Sequence, residues 1–160
     1  MRKNTARLQQ LQQLAILDTA PERVYDDLTR LLQESLEVPI SMVNLLDAER
    51  DWFKSCVGFP AAESAAETSF CEVFFSTSTD LVVVEDTALD PGFSLHPLVT
   101  GPPHIRFYAA ARLTVNGQTV GTVCAYDVQP HQVTQAQLAD LQALANSAMQ
   151  LMAARGTGAE

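Results

Sequence analysis

Asn116-Gly117 stands between two apolar runs, Ile105 to Val115 and Thr119 to Asp127. A type I′ turn needs positive φ at both central residues, and Asn-Gly meets that need at little steric cost, so the dipeptide pins an antiparallel hairpin. A second hairpin is expected upstream. Ile40 to Leu46 and Trp52 to Val57 are rich in β-branched, aromatic and long apolar residues, and the polar Asp47-Ala48-Glu49-Arg50-Asp51 joins them. Leu81 to Val84 reads as a short buried strand. Hairpins make an antiparallel sheet, and helical segments at both ends then give an α+β domain with its helices gathered on one side.

The helices follow from spacing. Leu8, Leu11, Leu14 and Ala15 recur at helical intervals through Thr5 to Leu17, with glutamines on the other faces. Thr19 reads as the N-cap of a second helix, with Glu22 completing a capping box and Pro21 in the first turn. This helix is expected to reach about Leu36 and to bury Val24, Leu28, Leu31, Leu32 and Ser35. Thr134-Gln135-Ala136-Gln137 is another capping box, opening a helix in which Leu138, Leu141, Ala145, Ala148 and Met152 alternate by three and four. Leu144 and Leu151 widen that seam, and Arg155-Gly156 is expected to close it. Phe70 to Phe75 reads as a short helix. Glu85 to His104, broken by Pro91, Gly92, Pro97, Gly101, Pro102 and Pro103, is a loop long enough to serve as a lid or pocket wall.

Composition narrows the function classes. With 160 residues, of which 47% are apolar, the chain suits one domain, 1–160, around a single core. Ten basic residues against nineteen acidic ones give a net charge of −9, the wrong balance for nucleic-acid binding. No apolar run approaches the roughly 18 residues of a membrane span. Met1-Arg2-Lys3-Asn4 leads into a Gln-rich stretch rather than a signal sequence, so a cytoplasmic location is expected. Cys56, Cys71 and Cys124 are widely spaced and read as reduced thiols.

Phosphate-cradling glycine loops and a serine nucleophile elbow are absent from the sequence. His96, His104 and His131 lack metal-ligand spacing, so no metal is expected. Cys71 heads the short helix, where a thiol gains acidity, although small apolar filler is the ordinary role of such a residue. Arg106 follows the Pro-rich loop, where it would clamp a carboxylate or phosphate, or else pair with Asp86 or Asp90. Trp52 and Phe53 would wall a pocket or fill the core.

Several segments occur together in order. They are Asp47 to Ser55, Ser69-Phe70-Cys71, Asp86-Thr87-Ala88-Leu89-Asp90-Pro91-Gly92-Phe93, Gly101 to Ala109, and Gly121-Thr122-Val123-Cys124 with Asp127. With Leu14 to Glu22 ahead of them, they resemble bacterial GAF domains of the subgroup at the N-terminus of histidine kinases and diguanylate cyclases. The resemblance covers about Ala6 to Met152 and leaves 153–160 as a flexible tail. It implies a GAF fold: a central antiparallel sheet of five or six strands, terminal helices on one face and a loop-covered cavity on the other. It also implies that Trp52, Phe70, Cys71, Arg106, Tyr108 and Cys124 line or border the ligand cavity. The chain departs from the family pattern in three places. Ser64-Ala65-Ala66-Glu67 lacks the usual Pro and Arg, Val73 stands where a His is common, and Ala110-Ala111-Arg112 replaces Gly-Ala-Pro. Without that His, a Cys71 nucleophile has lost its nearest base.

The function implied is a non-enzymatic sensory or regulatory module that binds a small molecule, its identity and any cofactor left open by the sequence. No kinase, cyclase or phosphodiesterase motif follows Met152, so signalling is expected to act on a partner in trans. A net charge of −9 disfavours an anionic messenger unless Arg106 and Lys54 face it. Two alternatives stand beside this reading. One is a homodimeric scaffold in which the Leu8 to Leu14 stripe and the Leu138 to Met152 seam form a helical bundle. The other is a Cys-dependent reductase, similar to the free methionine sulfoxide reductases.

Overall fold

The computed structural model describes the backbone of residues 1–158 and the side chains of residues 1–155. Helices α1 (Thr5–Gln13) and α2 (Arg23–Leu36) precede strands β1 (Ile40–Leu46), β2 (Arg50–Val57) and β3 (Glu63–Ala65). Then come β4 (Leu81–Val84), a single-turn α3 (Pro97–Thr100), β5 (Phe107–Val115), β6 (Gln118–Asp127) and α4 (Gln135–Gly158). The strands form one six-stranded sheet in the order β3-β2-β1-β6-β5-β4. Every neighbouring pair is antiparallel. Asn116 and Gly117 adopt φ of 51° and 79°, the conformation the β5–β6 hairpin demanded. The edge strand β3 was not expected from the sequence, because Glu63-Ser64-Ala65 carries no strand-forming side chain; it is held by its pairing with Arg50–Trp52 and by the ion pair of Glu63 with Arg50.

Alternation along the strands divides the apolar residues between two faces. Val43, Leu45, Trp52, Phe107, Ala109, Ala111 and Leu113 pack with Leu11, Leu14, Tyr25, Leu28, Leu32, Leu141, Ala145, Ala148 and Met152 from the helices. Met42, Leu46, Phe53, Tyr108, Ala110 and Cys124 face the other way, under Phe70, Cys71, Phe74, Phe93 and Val99 from the connecting segments. At the centre of the sheet Gly121 lets β6 approach β1, since a Cβ there would lie 2.2 Å from the Asn44 carbonyl oxygen.

Several expectations are corrected. α1 stops at Gln13 because Ala15 and Asp18 take positive φ of 52° and 60°, which folds Ile16 into the core. α2 starts after Glu22 without a side-chain cap. The Thr19 hydroxyl donates instead to the Ile16 carbonyl at 2.6 Å and accepts from Lys54 Nζ at 2.7 Å. The buried face of α2 is Tyr25, Leu28, Thr29, Leu32 and Leu36, which leaves Val24 and Leu31 half exposed at 47% and 52%. Thr29 earns its buried position by a hydrogen bond to Ser55.

The capping box at α4 forms as read: Gln137 N–H donates to Thr134 Oγ1 at 3.1 Å and Thr134 N–H to Gln137 Oε1 at 2.9 Å. α4 runs through Gly158, past the stop expected at Arg155-Gly156, and Arg155 reaches back to the Leu14 and Ala15 carbonyls and to Glu22. Of the expected tail, 153–158 is therefore helical, and 159–160 lies outside the described residues. Phe70–Phe75 is a 3₁₀ helix. Among the described residues no helix is long and apolar enough to cross a membrane.

A candidate small-molecule pocket

Between the loop face of the sheet and the segments around Ser69 and Ile105 lies a cavity of about 160 Å³. Phe53, Phe70, Tyr126, Met42 and Ile105 make its walls apolar, while Phe59 and Pro103 stand at more exposed positions on it. Asn44 and Asp51 bring polar groups onto this lining, from the odd-to-even alternation of β1 and β2 that also places Met42 and Phe53 there.

Asn44 is 1% exposed. Its Nδ2 donates to Asp51 Oδ2 at 3.4 Å and to Cys71 Sγ at 3.7 Å. Its Oδ1 is buried and has no hydrogen-bond partner among the described residues. Asp51 is ion-paired to Arg2, with Nη1 to Oδ1 at 2.9 Å. Burial raises the Asp51 carboxyl above its ordinary range, against hydrogen bonding from Ser69 and the nearby charge of Arg2. Arg2 also reaches Glu72 and the Asp47 carbonyl. Beneath it Arg7 donates to the Arg2 carbonyl, and burial together with the charge of Arg2 lowers Arg7 to about 10. The N-terminal segment thus reaches the polar side of the pocket.

Of the six residues assigned to the site, Phe70 lines the cavity. Cys71, Tyr108 and Cys124 form the packed layer beside it, fully buried. Cys71 Sγ lies 3.1 Å from Tyr108 Oη and 3.1 Å from Thr122 Oγ1. Burial pushes Cys124 and Tyr108 well up, and hydrogen bonds from Cys124, Thr122 and Tyr108 offset burial at Cys71, making it the more acidic of the two thiols. Cys56, half-buried, is pushed up to about 11 by desolvation.

Trp52 is on the other face, within the helix-side core, because it neighbours Phe53 in a strand whose side chains alternate. Arg106 is held by Asp86 in a two-pronged pair and does not line the cavity. Lys54 also lies on the helix side, its Nζ bonded to Thr19, the Ala20 carbonyl and Glu22. Asn44, Asp51, Tyr126 and Ile105 are among the lining residues outside the six expected for the site. Asn44 had a signal, as the one amide within the apolar run Ile40–Leu46.

An antiparallel sheet with helices on one face and connecting segments over the other is the α+β architecture of GAF domains. The chain belongs to the GAF domain family, whose sequence profile matches residues 20–152, and that membership supports a sensory or regulatory module. It is 32% identical over 119 residues to a cyclic di-GMP phosphodiesterase from Pseudomonas aeruginosa; the match takes in 74% of this chain and 20% of that protein. The chain thus spans about a fifth of that relative's length. Among solved structures, it is similar to the GAF domain of an Acinetobacter phosphoenolpyruvate-protein phosphotransferase (TM-score 0.66, 15% identity, 97% of this chain and 98% of that one). A free methionine-R-sulfoxide reductase from Neisseria meningitidis shares the fold to the same degree (TM-score 0.66, 15% identity, 94% and 89% covered).

Proposed function

We propose that this domain is a sensory module that holds a small molecule among Phe53, Phe70 and Tyr126 and passes its occupancy to a signalling partner. The observation that carries the reading is Asn44 Oδ1, a buried acceptor without a donor among the described residues, on a residue that lines an apolar cavity. A bare buried acceptor costs about 1–3 kcal/mol, which a donating ligand recovers on binding. Asn44 and Asp51 connect the pocket to Arg2, so occupancy bears on the N-terminal segment. Similarity to part of a cyclic di-GMP phosphodiesterase supports an output enzyme as the partner. A cytoplasmic setting belongs to the same reading, supported by three free thiols, and a bacterial one by the similarity to a Pseudomonas aeruginosa protein. Binding rather than catalysis is supported by the burial of Cys71 and Cys124 and the raised Cys56.

The test is thermal unfolding with a set of small molecules, on the wild type and on Thr68→Trp, which blocks the pocket. A ligand at 100 Kd adds about 2.7 kcal/mol, which at roughly 2–4 °C per kcal/mol raises Tm by about 5–10 °C. Thr68→Trp is expected to show no such rise. Ligands that stabilise both proteins equally would overturn the assignment of the site.

A second reading concerns self-association. The Leu11, Leu14 and Leu141 to Met152 positions intended for a bundle already pack on their own sheet. Leu31, half exposed, instead flanks a groove with Leu144 between α2 and α4, and we infer that this groove is the homodimer face. Light scattering on wild type and Leu31→Lys tests it, with a dimer expected for the first and a monomer for the second; a monomeric wild type at high concentration would overturn it.

A further inference from the structure

We propose that the ligand is a neutral molecule of one or two fused rings with an N–H or O–H donor, bound with that donor on Asn44 Oδ1. The proposal rests on the pocket being the ligand site and adds what the pocket selects. Size is the first constraint. The cavity of about 160 Å³ is close to the ~150 Å³ of an apolar protein cavity that takes up benzene. Cyclic dinucleotides and tetrapyrroles are several times larger than such a space.

Charge is the second constraint. Asp51 is the only formally charged side chain on the lining, and Arg2 already neutralises it. An anion would meet no cation there, because Arg106 is engaged by Asp86 and Lys54 lies across the sheet. A cation would have to displace Arg2, which is itself 6% exposed and bound to Glu72 and the Asp47 carbonyl as well. A neutral solute avoids both costs.

Hydrogen bonding is the third. The Asn44 amide donors are engaged by Asp51 and Cys71, and its Oδ1, closed off from the cavity and without a donor among the described residues, is the acceptor that a ligand reaches as the Asn44 side chain turns toward it. A site with a bare acceptor rejects an isostere that lacks the donor, since the acceptor then stays unpaired in the complex. Phe53, Phe70 and Tyr126 supply aromatic surface for a ring.

Indole and benzofuran separate these claims, having nearly the same shape but differing in the N–H. Both are titrated by calorimetry into the wild type and into Asn44→Leu, with benzoate as an anionic probe. Indole is expected to bind the wild type about tenfold or more tightly than benzofuran, to lose that advantage on Asn44→Leu, and to outbind benzoate. Equal affinities of indole and benzofuran for the wild type would overturn the donor assignment while leaving the pocket as a ligand site. Benzoate binding more tightly than indole would overturn neutrality. Binding of none of the three would overturn this proposal and count against the pocket itself. The wild-type comparison decides the matter even where Asn44→Leu does not fold.

Discussion

Arg106 donates from Nε to Asp86 Oδ1 and from Nη2 to Asp86 Oδ2, both at 3.0 Å. The pair ties the start of the covering loop to the approach to β5, next to the backbone bond from Thr87 N–H to the Arg106 carbonyl. It also takes the cation at the end of the loop out of contention for an anionic ligand. Arg106 is 38% exposed in its side chain, so solvent screens the pair and it contributes about 0–1 kcal/mol. Arg106→Gln is therefore expected to shift Tm by no more than about 4 °C and to leave ring binding in the pocket unchanged. Thermal unfolding and calorimetry check both; a collapse of binding would make Arg106 a ligand contact after all.

Arg2 and Asp51 form a buried pair whose loss has a signed pH dependence. Removing the partner of a buried charge costs about 3–5 kcal/mol, so Arg2→Met should lose about that much at pH 7. The Asp51 carboxyl, already raised by burial, then rises further. A group with a raised folded pKa stabilises the fold below its ordinary value and loses that contribution as pH rises through the folded value. The deficit of Arg2→Met should therefore shrink as pH falls from 7 towards 4. Urea unfolding at several pH values measures it, and a deficit that stays constant would contradict this account of the pair.

Lys54 and Glu22 give the opposite sign. Hydrogen bonding and the charge of Lys54, then Arg155, hold Glu22 below its ordinary value against partial burial. That stability is present above about pH 4.5 and is lost as pH falls through the depressed value. Lys54 is fully buried in its side chain, but Glu22 is 40% exposed, so Glu22→Gln is discounted to about 1–2 kcal/mol at pH 7. Tm should drop by about 2–8 °C, and the mutant's acid limb should be flatter than that of the wild type.

Gly121→Ala tests the close approach of the central strands. The new Cβ would meet the Asn44 carbonyl oxygen at 2.2 Å, a backbone atom that moves only with its strand. The expected loss is about 3 kcal/mol, at the upper end for overpacking. Because β1 carries Asn44 onto the pocket wall, ring binding should weaken as well, which denaturation and calorimetry on one preparation would reveal.

The sequence made the sheet legible because its signals are local. Asn116-Gly117 forces a turn, and the apolar runs on either side have no other way to bury themselves. The end of α1 and the start of α2 were not legible, since Ala15 and Asp18 take positive φ in a chain context that only the packed helices create, whereas the end of α2 at Leu36 was. Thr19 looked like a cap, but tertiary contact with Lys54 uses its hydroxyl instead. For the proposed site, the family resemblance and not a local pattern names Phe70 and Trp52; Phe70 stands on the cavity lining, and Trp52 stands one step of strand alternation away in the helix-side core, since either face of a sheet buried on both sides accepts an aromatic residue. Asn44 was passed over because the amide's missing partner is a property of three dimensions. No spacing in the sequence states which buried acceptor goes without a donor.

The most direct test of the pocket is an indole titration followed by amide and aromatic resonances of the folded protein. The account predicts progressive shifts at the Asn44 side-chain amide and at Phe53, Phe70 and Tyr126, while the Trp52 indole on the opposite face stays in place. Shifts centred on the open groove at Glu85, Asp86, Asp90 and His131, with Asn44 unmoved, would contradict it.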